Sequence, residues 1–290
     1  MATDHGPVVN GAQLRGELAR LRRASGFTQQ QIAKELQWSP SKLIRLEGGH
    51  SGITIVDLDA LLTKYGVTDK DELGRLHELH RASREGAWWD DYRDSVSPKY
   101  LEYVGYEAGA ASIRQLQITF IPGLLQTAAY AEAVTVIGNV PPENVRQIVG
   151  LRLQRQAELA KRSARPRQQF VIDEGVIRRH VGIKKDSTVM PTQLRMIADR
   201  AERDELLTVR VIPFDAGEHP GLFSAFTLLE FEGGVADVLY LDSGRGAINM
   251  MDPEDPQMAE YADDFDKLLD DALSAEKSIE FIRSVAQEMS

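Results

Sequence analysis

The sequence contains no cysteine. That absence removes disulfides, thiolate zinc sites and any cysteine nucleophile, and it suits a reducing compartment. Also missing is any apolar run near the roughly 18 residues that a membrane helix needs. The opening stretch, MATDHGPVVNGAQLRGE, lacks the apolar segment of a secretion signal. The expectation is a soluble, cytoplasmic protein without membrane contact. Positive charge is scarce as well: 34 Lys and Arg face 44 Asp and Glu, for a net charge of −10. Taken over the whole chain, that balance argues against a nucleic-acid partner. Divided by region, it does not.

Residues 11–50 carry seven basic side chains, Arg15, Arg20, Arg22, Arg23, Lys34, Lys42 and Arg45, against Glu17, Glu35 and Glu47. Residues 252–276 carry ten acids and one lysine. A basic head on an acidic body can hold phosphates through the head while the body repels DNA and orients the approach. An acidic stretch also simply favours solubility. At 290 residues and 42% hydrophobic content the chain is long enough for two domains with real cores.

Residues 13–66 read as four short helices with a helix-turn-helix at their centre. Thr28 is placed to cap a helix that carries Ile32, Ala33 and Leu36 on one face. Ser39 is placed to cap a second, with Pro40 at its first position and Leu43, Leu46 and Glu47 following. Leu73, Leu76 and Leu79 continue the helical spacing into a fifth helix, and a domain boundary near residue 84 follows. The outward face of the second helix offers Pro40, Ser41 and Arg45 to base edges in a major groove, and Arg45 is the strongest candidate because its planar fork matches guanine O6 and N7. Thr28, Gln29, Ser39 and Lys42 are assigned to phosphate, which fixes register without reading sequence.

Beyond residue 84, Ile121-Pro122-Gly123 breaks the chain sharply, Leu124, Leu125 and Tyr130 mark a short helix, and Pro141-Pro142-Glu143 opens a longer one. Its arginines (146, 152, 155 and 162) suggest a second phosphate patch, against the simpler reading of long side chains on a solvated helix. From residue 168 the pattern turns to strands: QQFVIDEGVI, LTVRVIPFD, SAFTLLEFE and ADVLYLDS, the last two joined at Gly233-Gly234 as a hairpin. PTQLRMIADRAER supplies a helix between the first two, and AEYADDFDKLLDDALS a terminal one. The expected architecture is an all-α helix-turn-helix domain of five helices over 1–84, followed over 85–290 by an α+β domain with a small sheet and surrounding helices.

The run SGFTQQQIAKELQWSPSKLIRLEGG resembles the xenobiotic-response-element family of lambda-repressor-like helix-turn-helix regulators. By that resemblance Gln29 is the family's phosphate-binding glutamine, Glu47 its glutamate before the glycine turn, and Ala33 the small residue where two helices cross. Pro40, Ser41 and Arg45 fall on its base-contacting positions, although Pro40 departs from the polar residue most members carry. The remainder is similar to the C-terminal domain of actinobacterial antitoxin-like regulators, most specifically in Ile121–Thr127 and in Arg152–Gln156. The resemblance implies a regulator encoded beside a small partner protein.

No set of side chains reads as an enzyme's. His77 and His80, three apart, make a weak metal pair and read as helix surface. Asp173 and Glu174 read as a strand-end turn, and Gly244-Arg245-Gly246 as a turn too short for a phosphate loop. Trp88, Trp89, Tyr92, Tyr100, Tyr103 and Tyr106 gather at the domain junction, and suit interdomain packing, a partner surface or the wall of a small-molecule pocket. The expectation is therefore a non-enzymatic, dimeric DNA-binding transcriptional regulator without cofactor or metal. Its C-terminal domain dimerises and receives a signal, from a small-molecule effector or from a partner protein encoded nearby. The alternative is an antitoxin-like protein whose main task is to capture that partner, with DNA binding serving autoregulation.

Overall fold

The computed structural model of the chain describes residues 5–138, 140–242, 248–250 and 255–290. The chain divides into two compact units, Met1–Trp88 with Phe231–Ala236, and Trp89–Glu230 with Asp237–Ser290.

The first unit is built from five helices: α1 (Gly6–Ala24), α2 (Gln29–Glu35), α3 (Pro40–Glu47), α4 (Ile55–Lys64) and α5 (Lys70–Ala82). The first is not short. It runs for 19 residues and begins upstream of Gln13, with Pro7 in its opening turn. Leu14 and Leu18 of α1, Ile32 of α2, Leu43 of α3, Leu58, Leu61 and Leu62 of α4 and Leu76 and Leu79 of α5 join in one core. Each buried leucine contributes about 1.5–3 kcal/mol, so the apolar stripes decide which face of each helix turns inward. Thr28, Thr54 and Asp69 cap α2, α4 and α5 through side-chain acceptors for the third backbone N–H. The surface expectation fails for one of the two histidines: His77 Nε2 meets Asp59 at 2.7 Å on the outside, whereas His80 is buried with Nε2 3.0 Å from the Ile53 carbonyl.

The second unit opens with α6 (Pro98–Gly109) and then forms a six-stranded sheet in the order β3-β2-β1-β4-β5-β6. Strands β1 (Ser112–Gln117), β2 (Arg167–Asp173) and β3 (Leu207–Ile212) are parallel. Strands β4 (Ala225–Glu230), β5 (Val238–Asp242) and β6 (Ile248–Met250) add antiparallel neighbours on the other side of β1. Parallel pairing requires crossovers. The β1–β2 link carries α7 (Ala128–Ile137) and α8 (Pro142–Lys161), and the β2–β3 link carries α9 (Glu174–Arg178) and α10 (Val189–Arg203). One sheet face, with Leu116, Val171, Ile212, Phe226, Leu228 and Leu239, is covered by Phe265 and Leu268 of α11 (Gln257–Asp271). On the other face Tyr240 packs edge-on against Tyr103 of α6, with ring centroids 4.8 Å apart.

The segment EGVI is not the end of a strand: Asp173 Oδ1 accepts from Gly175 N at 2.7 Å and starts α9. The helix at AEYADDFDKLLDDALS is not terminal, since α12 (Ala275–Glu288) follows it, capped by Ser274. Strand β1, at the centre of the sheet, escapes a sequence reading because four of the six residues of SIRQLQ are polar; Gln115 and Gln117 are nevertheless buried. The hairpin at Gly233-Gly234 does form, with both glycines at positive φ but within a longer connection, residues 231–237. Gly244-Arg245-Gly246 lies outside the described residues.

Candidate nucleic-acid interface

The turn between α2 and α3 fixes the angle at which the second helix is presented. Trp38 N donates to Ala33 O at 2.7 Å and Gln37 N to Lys34 O at 3.1 Å, with Gln37 in the left-handed region at φ 55°. This is a Schellman ending. Buried Ala33 and Ile32 seat α2 against Leu43 and Leu46 of α3. Glu47 then ties three helices together: Arg22 of α1 donates to it through Nε and Nη2 at 2.7 and 2.9 Å, and Gln29 of α2 through Nε2 at 2.7 Å. Hydrogen bonding to Glu47 holds the Arg22 guanidinium above its ordinary pKa.

With Leu43 and Leu46 turned inward, the exposed face of α3 consists of Pro40, Ser41, Ile44 and Arg45. The structure thus brings Pro40, Ser41 and Arg45 onto one exposed face. Ile44, 50% exposed, is the member that sequence reasoning missed; its position three residues after Ser41 was the available signal, masked by its apolar character. Among the described residues Arg45 has no side-chain hydrogen bond or ion pair, so its five N–H donors remain available.

The residues assigned to phosphate are placed less uniformly. Thr28 Oγ1 accepts from Gln31 N at 3.2 Å while Gln31 Oε1 accepts from Thr28 N at 2.8 Å, a full capping box that leaves the threonine O–H free to donate. Gln29 spends one amide N–H on Glu47 and keeps a second. Ser39 occupies the N-cap position of α3 but does not cap it; its hydroxyl lies 3.1 Å from that of Ser41 instead. The Lys42 ammonium is engaged, 2.6 Å from Asp57 Oδ1 and over the Trp38 ring at 3.9 Å, so a phosphate competes with Asp57 for it.

Trp89, Tyr103 and Tyr106 are buried, and Trp88 belongs to the first unit and Trp89 to the second. Tyr92 donates to Gln154 Oε1 at 2.7 Å. Tyr100 and Tyr103 surround a buried ion pair in which Arg155 donates to Glu107 through Nε at 2.7 Å and Nη2 at 2.5 Å. Tyr103 donates to the same carboxylate at 3.0 Å, and Arg155 Nη1 donates to Tyr100. Burial opposes the arginine's charge, but Glu107 together with Tyr100 and Tyr103 outweighs it and holds the guanidinium well above its usual range. The arginines of α8 accordingly fail as a phosphate patch. Arg155 is buried, Arg152 donates to Gln126 and Thr135, Arg162 donates to Ala110 O, and Arg146 alone of the four stays on the surface without a partner among the described residues.

Asp173 and Glu174 hold a turn: the Glu174 carboxylate is buried, accepting from Phe214 N at 2.7 Å and from Arg178. Among the described residues no group of His, Asp and Glu is arranged to hold a metal ion, and no helix is long and apolar enough to cross a membrane.

This geometry defines the first unit as a helix-turn-helix domain, and residues 13–76 match the family model of that description. Residues 100–284 match the model of a domain of unknown function, DUF5753, and the chain belongs to that family. No curated protein and no solved structure matches the chain.

Proposed function

We propose that the protein is a dimeric, sequence-specific DNA-binding transcriptional regulator of the cytoplasm and not an enzyme. In this reading α3 enters the major groove of each half of a two-fold operator, and the second unit dimerises and receives a signal. The observation that carries it is the exposed face of α3, where Ser41, Ile44 and an unengaged Arg45 stand together on a rigidly seated helix. Arg45 pairs with guanine, Ser41 with a neighbouring base, and Pro40 makes apolar contact. Thr28 and Gln29 hold phosphate at the start of α2, with Ser39 and Lys42 adding contacts once DNA draws Lys42 from Asp57. Two copies are required because one small module seldom gives enough affinity alone.

The test is selection of fragmented genomic DNA by the purified protein, followed by sequencing. Enrichment of a two-fold motif supports the reading, and absence of any motif removes it. On that motif Arg45→Ala is expected to lose about 1–3 kcal/mol of discrimination at one base pair. Gln29→Ala is expected to weaken binding uniformly across sequences, as titration of matched and mismatched duplexes will report.

A second reading, capture of a small partner protein as antitoxin-like regulators do, draws support from Phe214, Leu222 and Phe223. These are exposed on the β3–β4 connection, Phe223 by 93%, and exposed large apolar side chains mark interaction surfaces. Co-expression with the product of the adjacent gene separates the two readings: a stable complex supports capture, and none favours a small-molecule signal.

A further inference from the structure

Along α10 the second unit carries an open cleft of about 660 Å³, within the size range of small-molecule sites. Four arginines line it, Arg165, Arg195, Arg200 and Arg203, with Asp199 and Asp204 as its acids. In a chain of net charge −10 this is a local excess of positive charge.

The two carboxylates are already paired. Asp204 is gripped by both terminal nitrogens of Arg165 at 2.9 and 3.0 Å, and Asp199 accepts from Arg283 at 3.1 Å. Arg195, Arg200 and Arg203 are left with no carboxylate at ion-pair distance among the described residues. Arg195 donates to the Ser290 hydroxyl, and Arg203 is exposed with no hydrogen bond.

Arg200 is the informative member. It is half-buried, and burial holds its guanidinium below its ordinary pKa although the Asp204 carboxylate, itself gripped by Arg165, pulls the other way. Among the described residues only Nη1 is hydrogen bonded, to Leu124 O at 2.9 Å and Gln156 Oε1 at 3.4 Å, both neutral acceptors. A partly desolvated cation whose other nitrogens lack acceptors is a net cost unless something anionic completes it.

We propose that this cleft binds a small phosphorylated compound, with Arg195, Arg200 and Arg203 holding the phosphate and Met196 lining the space for its body. A phosphomonoester carries about −1.5 to −2 charges at neutral pH and three strong acceptor oxygens, which suits several guanidinium forks better than a single carboxylate does. The inference does not depend on the DNA-binding reading, because it concerns only the second unit and is read without DNA.

The experiment is calorimetric titration of the full chain with AMP and with inorganic phosphate at millimolar concentrations, with adenosine as the control. AMP and phosphate are expected to bind, and adenosine at least tenfold more weakly than AMP. The double variant Arg195→Ala/Arg203→Ala, both exposed, is expected to keep the wild-type melting temperature and to lose at least tenfold in AMP affinity. Silence of both AMP and phosphate on the wild-type protein overturns the proposal, as does undiminished AMP binding by the double variant. Loss of duplex-DNA affinity in that variant with AMP binding intact reassigns these arginines to DNA and equally overturns it.

Discussion

Gln37 is the only non-glycine residue at positive φ among the described ones. It does at the end of α2 what Gly49, at φ 75°, does at the end of α3. A side chain in that region costs about 1–2 kcal/mol, partly offset by the greater freedom glycine gives the unfolded chain. Gln37→Gly is therefore expected to stabilise the first unit by about 0.5–1 kcal/mol, read as a higher urea midpoint with unchanged slope. At the opposite extreme stands Arg155. Its replacement by methionine strands the Glu107 carboxylate, 1% exposed, and is expected to cost about 3–5 kcal/mol. Adding Glu107→Leu should recover most of that loss in the same denaturation assay. The two positions differ in legibility. Thr28 could be read as a cap because its partner is three residues away, whereas the Arg155 partner lies 48 residues upstream and an arginine on a helix reads as surface until the fold brings Glu107 beneath it.

At the scale of elements, the stretch Ile121–Thr127 is held by side chains from two helices. Gln193 of α10 donates to Leu125 O at 2.6 Å and accepts from Thr127 N at 2.7 Å. Gln156 of α8 donates to Gly123 O at 3.2 Å and Gln126 O at 2.9 Å. Gln193 is fully buried, so Gln193→Leu leaves one buried donor and one buried acceptor unsatisfied. It is expected to cost about 2–6 kcal/mol, from about 1–3 for each orphaned group, measurable as a lower melting temperature. The same logic explains which elements were legible. Helices α2 to α5 announce themselves through apolar spacing and local caps. Strands β2 to β5 are rich in Val, Ile, Leu or Phe. Strand β1 does not follow, because its polar residues are buried by neighbours in the sheet rather than by any pattern of their own. The face of α3 could be drawn from helical spacing alone, while the engagement of Lys42 by Asp57 depends on how α4 packs.

For the whole molecule, the buried tyrosines set an alkaline limit. Burial pushes the Tyr130 hydroxyl up to about 12, and raises Tyr65, Tyr103 and Tyr240 in the same direction. Above pH 10 the unfolded chain releases these protons while the folded one retains them, so folding stability falls as pH rises. The contribution is intact below pH 10 and lost through about 12; for Tyr130 alone it amounts to roughly 2–3 kcal/mol. Denaturant midpoints taken from pH 9 to 12 should decline, with tyrosine ionisation appearing together with loss of helical signal. A tyrosinate signal that develops while the helices persist would show these hydroxyls to be open to solvent.

The β3 edge of the sheet is closed by the turn between α11 and α12, where Leu273 N donates to Val211 O at 2.9 Å and Val211 N donates to Ser278 Oγ at 3.0 Å. These closing residues are made after every strand. During synthesis β3 therefore leaves the ribosome with its outer hydrogen-bonding groups exposed, an interval in which one nascent chain can pair with another on the same message. Residues 272–278 are thus what turns an open sheet edge into a finished one.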